Sequence, residues 1–249
     1  MRIPAHSAEI ERVYNQTLAT GQRALAICSA NAGEGVTSLA MALTQRNLMA
    51  GRSTLLVDMN LYHPSLQGLF EPEADGFNSI SNSTISSSTQ LTATLGQPQL
   101  VTAKQNAVAL TGVTTPKRRD MIMQLRRPGV LEQCIHEWQQ HFDSVVFDTS
   151  PLNRVNANNI PPEQIAAACD GCILTVLAGL TTEAVINAAL EKLNAAGVNL
   201  LGCVFNDRDN PSLKDELLRE VQRLEPHFNG LARWLKQQLR QNRLLSLEV

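Results

Sequence analysis

Short apolar runs alternate along this chain with longer stretches in which apolar residues recur every three or four positions. Ala24-Leu25-Ala26-Ile27-Cys28, Thr54-Leu55-Leu56-Val57-Asp58, Ser144-Val145-Val146-Phe147-Asp148, Cys172 to Leu177 and Leu200 to Phe205 have the length of strands. They are nearly continuous rather than alternating, as in strands covered on both faces, and that is the mark of a parallel sheet. Between them, Thr37 to Ala50 predicts a helix closed by Gly51. Thr181 to Ala196 predicts another, with a threonine start, a Gly197 stop and Ile186, Leu190 and Leu193 on one face. Met121, Ile122, Leu125 and Leu131 give a third, amphipathic helix. The expected fold is α/β and doubly wound, with a mainly parallel sheet and helices on both faces.

Two stretches break the alternation. Residues 78–94 are mostly Ser, Thr and Asn without apolar periodicity, and they predict a mobile surface loop. After Pro211 come a helix near Leu213–Leu224, a break at Pro226 and a basic amphipathic segment that ends at Val249. The expected organisation is an N-terminal helical segment (1–22), a main domain (23–211) and a C-terminal helical extension (212–249).

Composition narrows the functional classes. The 249 residues suit one α/β domain with a small appendage. Aromatic residues make up only 4%, too few for a platform that stacks single-stranded nucleic acid. The formal net charge of −2 exerts no global pull on DNA or anionic lipid. Five cysteines, an odd number set mostly in apolar runs (Cys28, Cys172, Cys203), read as reduced, buried thiols of a cytosolic protein. Cys169 and Cys172 have the spacing of a redox or zinc pair but no second pair to complete a site. Met1 to Ser29 lacks the apolar core of a secretory signal, and no run approaches the ~18 apolar residues of a spanning helix. A cytoplasmic protein is expected.

The segment that carries chemistry is Ser29-Ala30-Asn31-Ala32-Gly33-Glu34-Gly35-Val36-Thr37-Ser38, placed between a strand and a helix. Successive backbone N–H groups in such a turn make an anion nest, and the helix N-terminus behind it adds positive potential. Gly33 and Gly35 supply the permissive backbone, and Thr37 stands where a P-loop hydroxyl binds magnesium. The loop's usual first glycine falls on Ala30 and its lysine on Val36. Two strands end in acids, Asp58 and Asp148, and ligands of open α/β sheets gather at the carboxyl ends of strands. Thr37, Asp58 and Asp148 would then converge as a hard-oxygen magnesium site beside phosphates. For each aspartate alone, a helix cap or turn acid is an equal alternative.

In order, Ala32-Gly33-Glu34-Gly35-Val36-Thr37, Leu55 to Leu66, Phe142 to Pro151 and Gly202-Cys203-Val204-Phe205-Asn206 resemble the motifs of the bacterial tyrosine kinases, a branch of the MinD/ParA-type P-loop superfamily. The resemblance runs from about Arg23 to Pro211. It implies a P-loop NTPase-like fold, with Gly33, Glu34, Gly35, Val36, Thr37, Ser38 and Asn206 at a nucleotide, Asn206 being at the adenine. It also implies that Asp58 and Asp148 are the catalytic acids of any activity, and that Thr37, Asp58 and Asp148 hold Mg2+. ATP or ADP is the implied cofactor, and weak binding is expected. The implied partner is a membrane-embedded protein of polysaccharide chain-length control or export, at the inner face of the plasma membrane, and a homo-oligomer is compatible with it.

The departures from that pattern share a direction. The lysine becomes Val36, the second acid of the segment after the helix becomes Asn60, and the basic pair that follows becomes Tyr62-His63. The extra lysine of MinD/ParA loops falls on Asn31, and the family's N-terminal contact motif ends on Asn15 instead of arginine. No tyrosine cluster follows, since the only tyrosines are Tyr14 and Tyr62. Losing one charged hydrogen bond removes roughly 1.5–3 kcal/mol from ground-state binding. Losing a donor aimed at transition-state charge costs about 10²–10³ in rate. Binding can therefore survive where phosphotransfer largely cannot.

The function this suggests is a catalytically impaired kinase-like regulator of an exopolysaccharide synthesis or export assembly. The alternative is an active MinD/ParA-type ATPase of positioning or of a secretion apparatus, with its lysine supplied from elsewhere. Lys117, Arg118, Arg119, Arg126 and Arg127 are candidates for that charge or for DNA phosphates, although a solvated helix face explains them better and the balance is against DNA. Leu231, Trp234, Leu235 and Leu239 share a helical face ringed by basic residues, so residues 231–245 could meet a membrane surface or dock on protein.

Overall fold

A computed structural model describes residues 3–66, 99–101, 110–116, 118–154 and 159–208, with isolated positions in the tail. The expected loop at 78–94 and nearly all of the expected C-terminal helices lie outside the described residues. The chain divides into two compact units, Met1–Asn206 and Asp207–Val249, and the elements below belong to the first.

In chain order the elements are α1 (Ala8–Gln16), a 3-10 turn (Leu18–Thr20), β1 (Ala24–Ser29), α2 (Val36–Met49), β2 (Thr54–Met59), β3 (Gln99–Val101), β4 (Leu110–Val113), α3 (Arg119–Leu125), α4 (Val130–Trp138), β5 (Ser144–Thr149), α5 (Pro162–Ala167), β6 (Gly171–Leu177), α6 (Glu183–Ala195) and β7 (Leu200–Asn206). The seven strands form one sheet in the order β3-β4-β2-β5-β1-β6-β7. Every pairing is parallel except that of the edge strand β3 with β4. This is the doubly wound α/β fold that the apolar runs predict.

Strands β1, β2, β5 and β6 are buried along their whole lengths, which is why their sequences run apolar without alternation. Two apolar clusters follow from that burial. One contains Ala26, Leu55, Val145, Phe147 and Leu174, packed with Trp138, Ile165 and Leu193 from α4, α5 and α6. The other sets Leu25, Ile27, Leu56 and Val146 against Ile10, Tyr14, Leu39 and Leu43 from α1 and α2. α1 is tied down further by Arg46, whose guanidinium donates to Glu11 and stacks 4.3 Å from the Tyr14 ring centroid.

Three details depart from the sequence-based expectations. The amphipathic run from Met121 to Leu131 is two helices rather than one, broken around Pro128 and Gly129. Proline cannot continue the ladder, and Gly129 turns left-handed at φ +82°. The short strands β3 and β4 had no counterpart in the apolar pattern. Cys203, on the edge strand β7, is exposed, while the other four cysteines are buried.

Phe147 sits fully buried between β1 and β2, one residue before Asp148, with its ring 6.1 Å from that of Trp138. Phe147→Ala should destabilise the protein by about 3–5 kcal/mol. Urea unfolding followed by tryptophan fluorescence measures this; a loss below 1 kcal/mol would mean that the sheet centre is not packed as described.

Candidate functional site at the carboxyl end of the sheet

The loop from Ala30 to Gly35 leaves β1 and enters α2 through two left-handed residues, Gly33 at φ +85° and Gly35 at φ +101°. Among the described residues, no acceptor takes the N–H groups of residues 33–37. They are orphan donors at a helix start, with the helix dipole behind them, and that is an anion-binding nest.

Glu34 holds this loop from within. It is 2% exposed, and its Oε2 accepts the N–H groups of Ala30 (3.0 Å) and Asn31 (3.2 Å). Its Oε1 accepts the Asn31 side-chain amide (3.3 Å) and the Thr181 hydroxyl (2.6 Å). Asn206, at the end of β7, donates to the Glu34 carbonyl (3.1 Å). A Cβ on Gly35 would fall 2.5 Å from the Asn206 amide nitrogen and push that side chain aside, and the left-handed φ of +101° favours glycine there. Asn206 therefore clamps the loop.

Val36 contributes its N–H to the nest, but its side chain is 7% exposed and lies in the cluster with Ile10, Tyr14, Leu39 and Leu43. Burial among apolar neighbours explains why a valine is stable at this position. Ser38 follows, half-buried in the first turn of α2.

The parallel register of β2 and β5 sets Asp58 directly opposite Asp148. Both are buried, at 0% and 1% exposure. Thr37 donates its hydroxyl to Asp148 Oδ2 at 2.6 Å, and the Ser65 hydroxyl lies 3.1 Å from the same oxygen. Asp148 Oδ1 is buried with no partner. Burial, and then the charge of Asp58, push the Asp148 carboxyl up to about 7.

Asp58 has different partners. Its Oδ1 accepts the N–H of Asn60 (2.9 Å), and its Oδ2 accepts those of Ser65 (2.8 Å) and Leu66 (3.0 Å). Burial raises its pKa, and these backbone donors oppose the rise. Asn60, where the resemblance would place an acid, instead accepts the N–H of His63 through its side-chain oxygen (3.1 Å) and closes the same turn.

Gly33, Glu34, Gly35, Val36, Thr37, Ser38 and Asn206 therefore form and clamp the loop, and Thr37 meets Asp148 beside Asp58. Sequence reasoning missed two contributors. Ser65 bridges the two acids, and a polar residue beside Pro64 at the end of an otherwise motif-bearing segment was its only signal. Thr181 was read as a helix start; Thr182 is the residue that precedes α6, and the Thr181 hydroxyl reaches the loop instead.

The donor set is one of hard oxygens from two carboxylates and the Thr37 hydroxyl, next to a ring of amide donors. Magnesium takes one or two carboxylates and completes its shell with phosphate oxygens and water, and the orphaned Asp148 Oδ1 meets that requirement. Among the described residues, no group of three or more His, Cys, Asp or Glu side chains could enclose a metal. Cys169 and Cys172 are buried, and their thiols are pushed well above the ordinary range, Cys169 by burial and Cys172 by its hydrogen bond with Cys28 together with burial. Protonated, buried thiols are poor ligands and nucleophiles. Arg118, one of the basic residues proposed for phosphate contact, pairs with Asp120 on the surface.

Comparison with known proteins agrees with this geometry. The chain is 25% identical to the tyrosine-protein kinase CpsD of Streptococcus pneumoniae over 75% of its own length and 77% of the kinase's. It is 27% identical to CpsD of Streptococcus agalactiae over 73% of this chain and 74% of that one. Its relatives are bacterial tyrosine kinases. Among solved structures, the kinase domain of the Escherichia coli tyrosine kinase ETK superposes with a TM-score of 0.56 at 19% identity, covering 77% of this chain and 71% of that one. The cell-division ATPase MinD of Pyrococcus furiosus gives 0.53 at 15%, over 76% and 74%. Cobyrinic acid a,c-diamide synthase of Mycobacterium smegmatis, with a bound ATP analogue and magnesium, gives 0.52 at 17%, over 74% and 72%. The fold is that of the MinD/ParA-type P-loop proteins. No protein-family model matches the chain.

A carboxyl whose pKa is raised on folding adds stability below its unfolded value, and that contribution is lost as pH climbs through the folded value. For Asp148 the window runs from ~3.9 in the unfolded chain to about 7 when folded. In magnesium-free buffer, Asp148→Asn should gain stability over wild type progressively between pH 5 and 7.5, reaching on the order of 2–4 kcal/mol. Urea midpoints across that range measure the gain; a pH-independent difference would contradict the buried acid pair.

Proposed function

We propose that this protein is a phosphotransfer-impaired relative of the bacterial tyrosine kinases that binds ADP or ATP with Mg2+ weakly and acts as a regulatory partner. The observation that carries the reading is one asymmetry of the site. Thr37, Asp58 and Asp148 stand together as a phosphate–magnesium site requires, while the side chain beside them that would meet the phosphates is a core valine. The nest can hold phosphate through its N–H groups. Without the lysine it lacks the cation that would stabilise charge developing on the transferring phosphoryl group.

In this reading Gly33 to Ser38 cradle the phosphates, Thr37 and Asp148 hold the metal, and Asp58 supports them. Asn206, which holds the loop through the Glu34 carbonyl, would meet the base by the resemblance. Mg2+ held there would neutralise phosphate charge. The Asp148 carboxyl would hold the cation in its charged form, which a nearby cation favours. By resemblance to its relatives, the protein would serve a membrane-embedded polysaccharide export or chain-length partner from the cytoplasmic face, as a 23–211 domain flanked by helical segments. No helix among the described residues is long and apolar enough to cross a membrane.

A second reading, an active MinD/ParA-type ATPase, is favoured by one feature. The Thr37–Asp148 contact is intact at 2.6 Å, so an outside cation would complete the site.

Isothermal titration with ADP and ATP, with and without Mg2+, tests the proposal. Wild type should bind in the range of tens of micromolar to millimolar, Thr37→Ala should lose the magnesium dependence, and Val36→Lys should bind about tenfold or more tightly, the value of one charged hydrogen bond. The same Val36→Lys variant should melt at a lower temperature, since the ammonium stem leaves a cavity in the apolar cluster or is buried there. Absence of binding by both wild type and Val36→Lys would reject the nucleotide site.

A further inference from the structure

We propose that Ser65 is a positioning residue that fixes the Asp148 carboxylate so that its free oxygen, Oδ1, is presented to a divalent cation. The inference deepens the nucleotide–magnesium reading above and rests on it.

The geometry has three parts. Thr37 and Ser65 approach Asp148 from different elements, yet both hydroxyls address the same oxygen, Oδ2, at 2.6 and 3.1 Å. The second oxygen, Oδ1, is left buried and unpartnered. An aspartate carboxyl turns readily about its last side-chain bond, because that torsion is broad and roughly two-fold. Two donors on one oxygen remove that freedom and decide which oxygen is left for a ligand.

The two donors are not equivalent once a cation is present. Thr37 would then turn its hydroxyl oxygen to the metal, so the restraint on Asp148 that does not depend on the metal is Ser65. Ser65 is itself held in place by Asp58, through its N–H at 2.8 Å, with the neighbouring N–H groups of Leu66 and Asn60 on the same carboxylate. Its hydroxyl lies 3.3 Å from Asp58 Oδ2 as well, so it bridges the two acids. Asp58, whose two oxygens are engaged by the turn it organises, acts on the cation through Ser65 as much as directly. Groups that orient metal ligands in this way are worth about 10–100-fold in metal affinity.

The test is a magnesium chloride titration of ADP binding to the full chain, by calorimetry, for wild type, Ser65→Ala and Ser65→Thr, with ADP affinity in EDTA as the reference. Ser65→Ala should reduce the magnesium-dependent gain in ADP affinity by about tenfold or more, with unchanged affinity in EDTA. Ser65→Thr, which keeps the hydroxyl, should retain the gain to within about threefold. Binding of Mn2+ with ADP, followed by its electron paramagnetic resonance signal, should show the same order without reference to any activity. An unchanged magnesium dependence in Ser65→Ala would overturn the positioning role while leaving the nucleotide site standing. An equal loss of affinity in EDTA would overturn it too, by showing a general collapse of the turn. A wild type that binds ADP without any response to magnesium would overturn both the magnesium reading and the role assigned to Ser65.

Discussion

Two carboxylates, buried side by side where β2 pairs with β5, are the constraint around which the rest of the site is arranged. Parallel pairing in this register forces Asp58 and Asp148 to the same level at the end of the sheet, where both lose their hydration. Burial pushes both pKa values up. Asp58 escapes part of that penalty through three backbone N–H donors, which fold the segment from Asn60 to Leu66 around it. Asp148 receives only hydroxyls, on one oxygen, and its pKa stays raised. The unequal treatment separates the two acids: one builds the turn, and the other keeps a buried oxygen without a partner. Buried groups left partly unsatisfied in this way cost stability and are found where ligands bind.

The loop beside the acids is held by the fold itself. Glu34 receives four donors and locks the turn, and Asn206 presses against Gly35, so the nest is held in shape without any ligand. Val36, where the family resemblance would place a lysine, is part of the hydrophobic contact between α1 and α2. Asn60 follows the same course, closing a turn where the family resemblance would place an acid. At both positions the side chain present serves the fold, Val36 in an apolar cluster and Asn60 in a turn. That pattern fits a site kept for binding rather than for turnover.

Much of this was legible in the sequence because it is local. Continuous apolar runs identified the buried parallel strands, and Gly33 and Gly35 before a helical stretch identified the nest. What escaped depended on contacts between distant segments. Ser65 meets Asp148 across 83 residues and Thr181 meets Glu34 across 147, and a lone hydroxyl has no periodicity to betray such a partner. Cys203 is exposed on the edge strand β7, and strand order is invisible in an apolar run. The break between α3 and α4 was readable from Pro128-Gly129, but helical spacing on either side concealed it. Val36 looked like a missing charge; that it is also a core residue needed the packing of α1 on α2.

The central claim is that this site binds nucleotide but has lost phosphoryl transfer. A rapid-quench measurement with γ-labelled ATP and Mg2+, following both released phosphate and phosphotyrosine, addresses it most directly. The account predicts no phosphotyrosine and a turnover about 10²–10³ below that of the Val36→Lys variant. Wild-type turnover equal to that of Val36→Lys, abolished by Thr37→Ala, would contradict it.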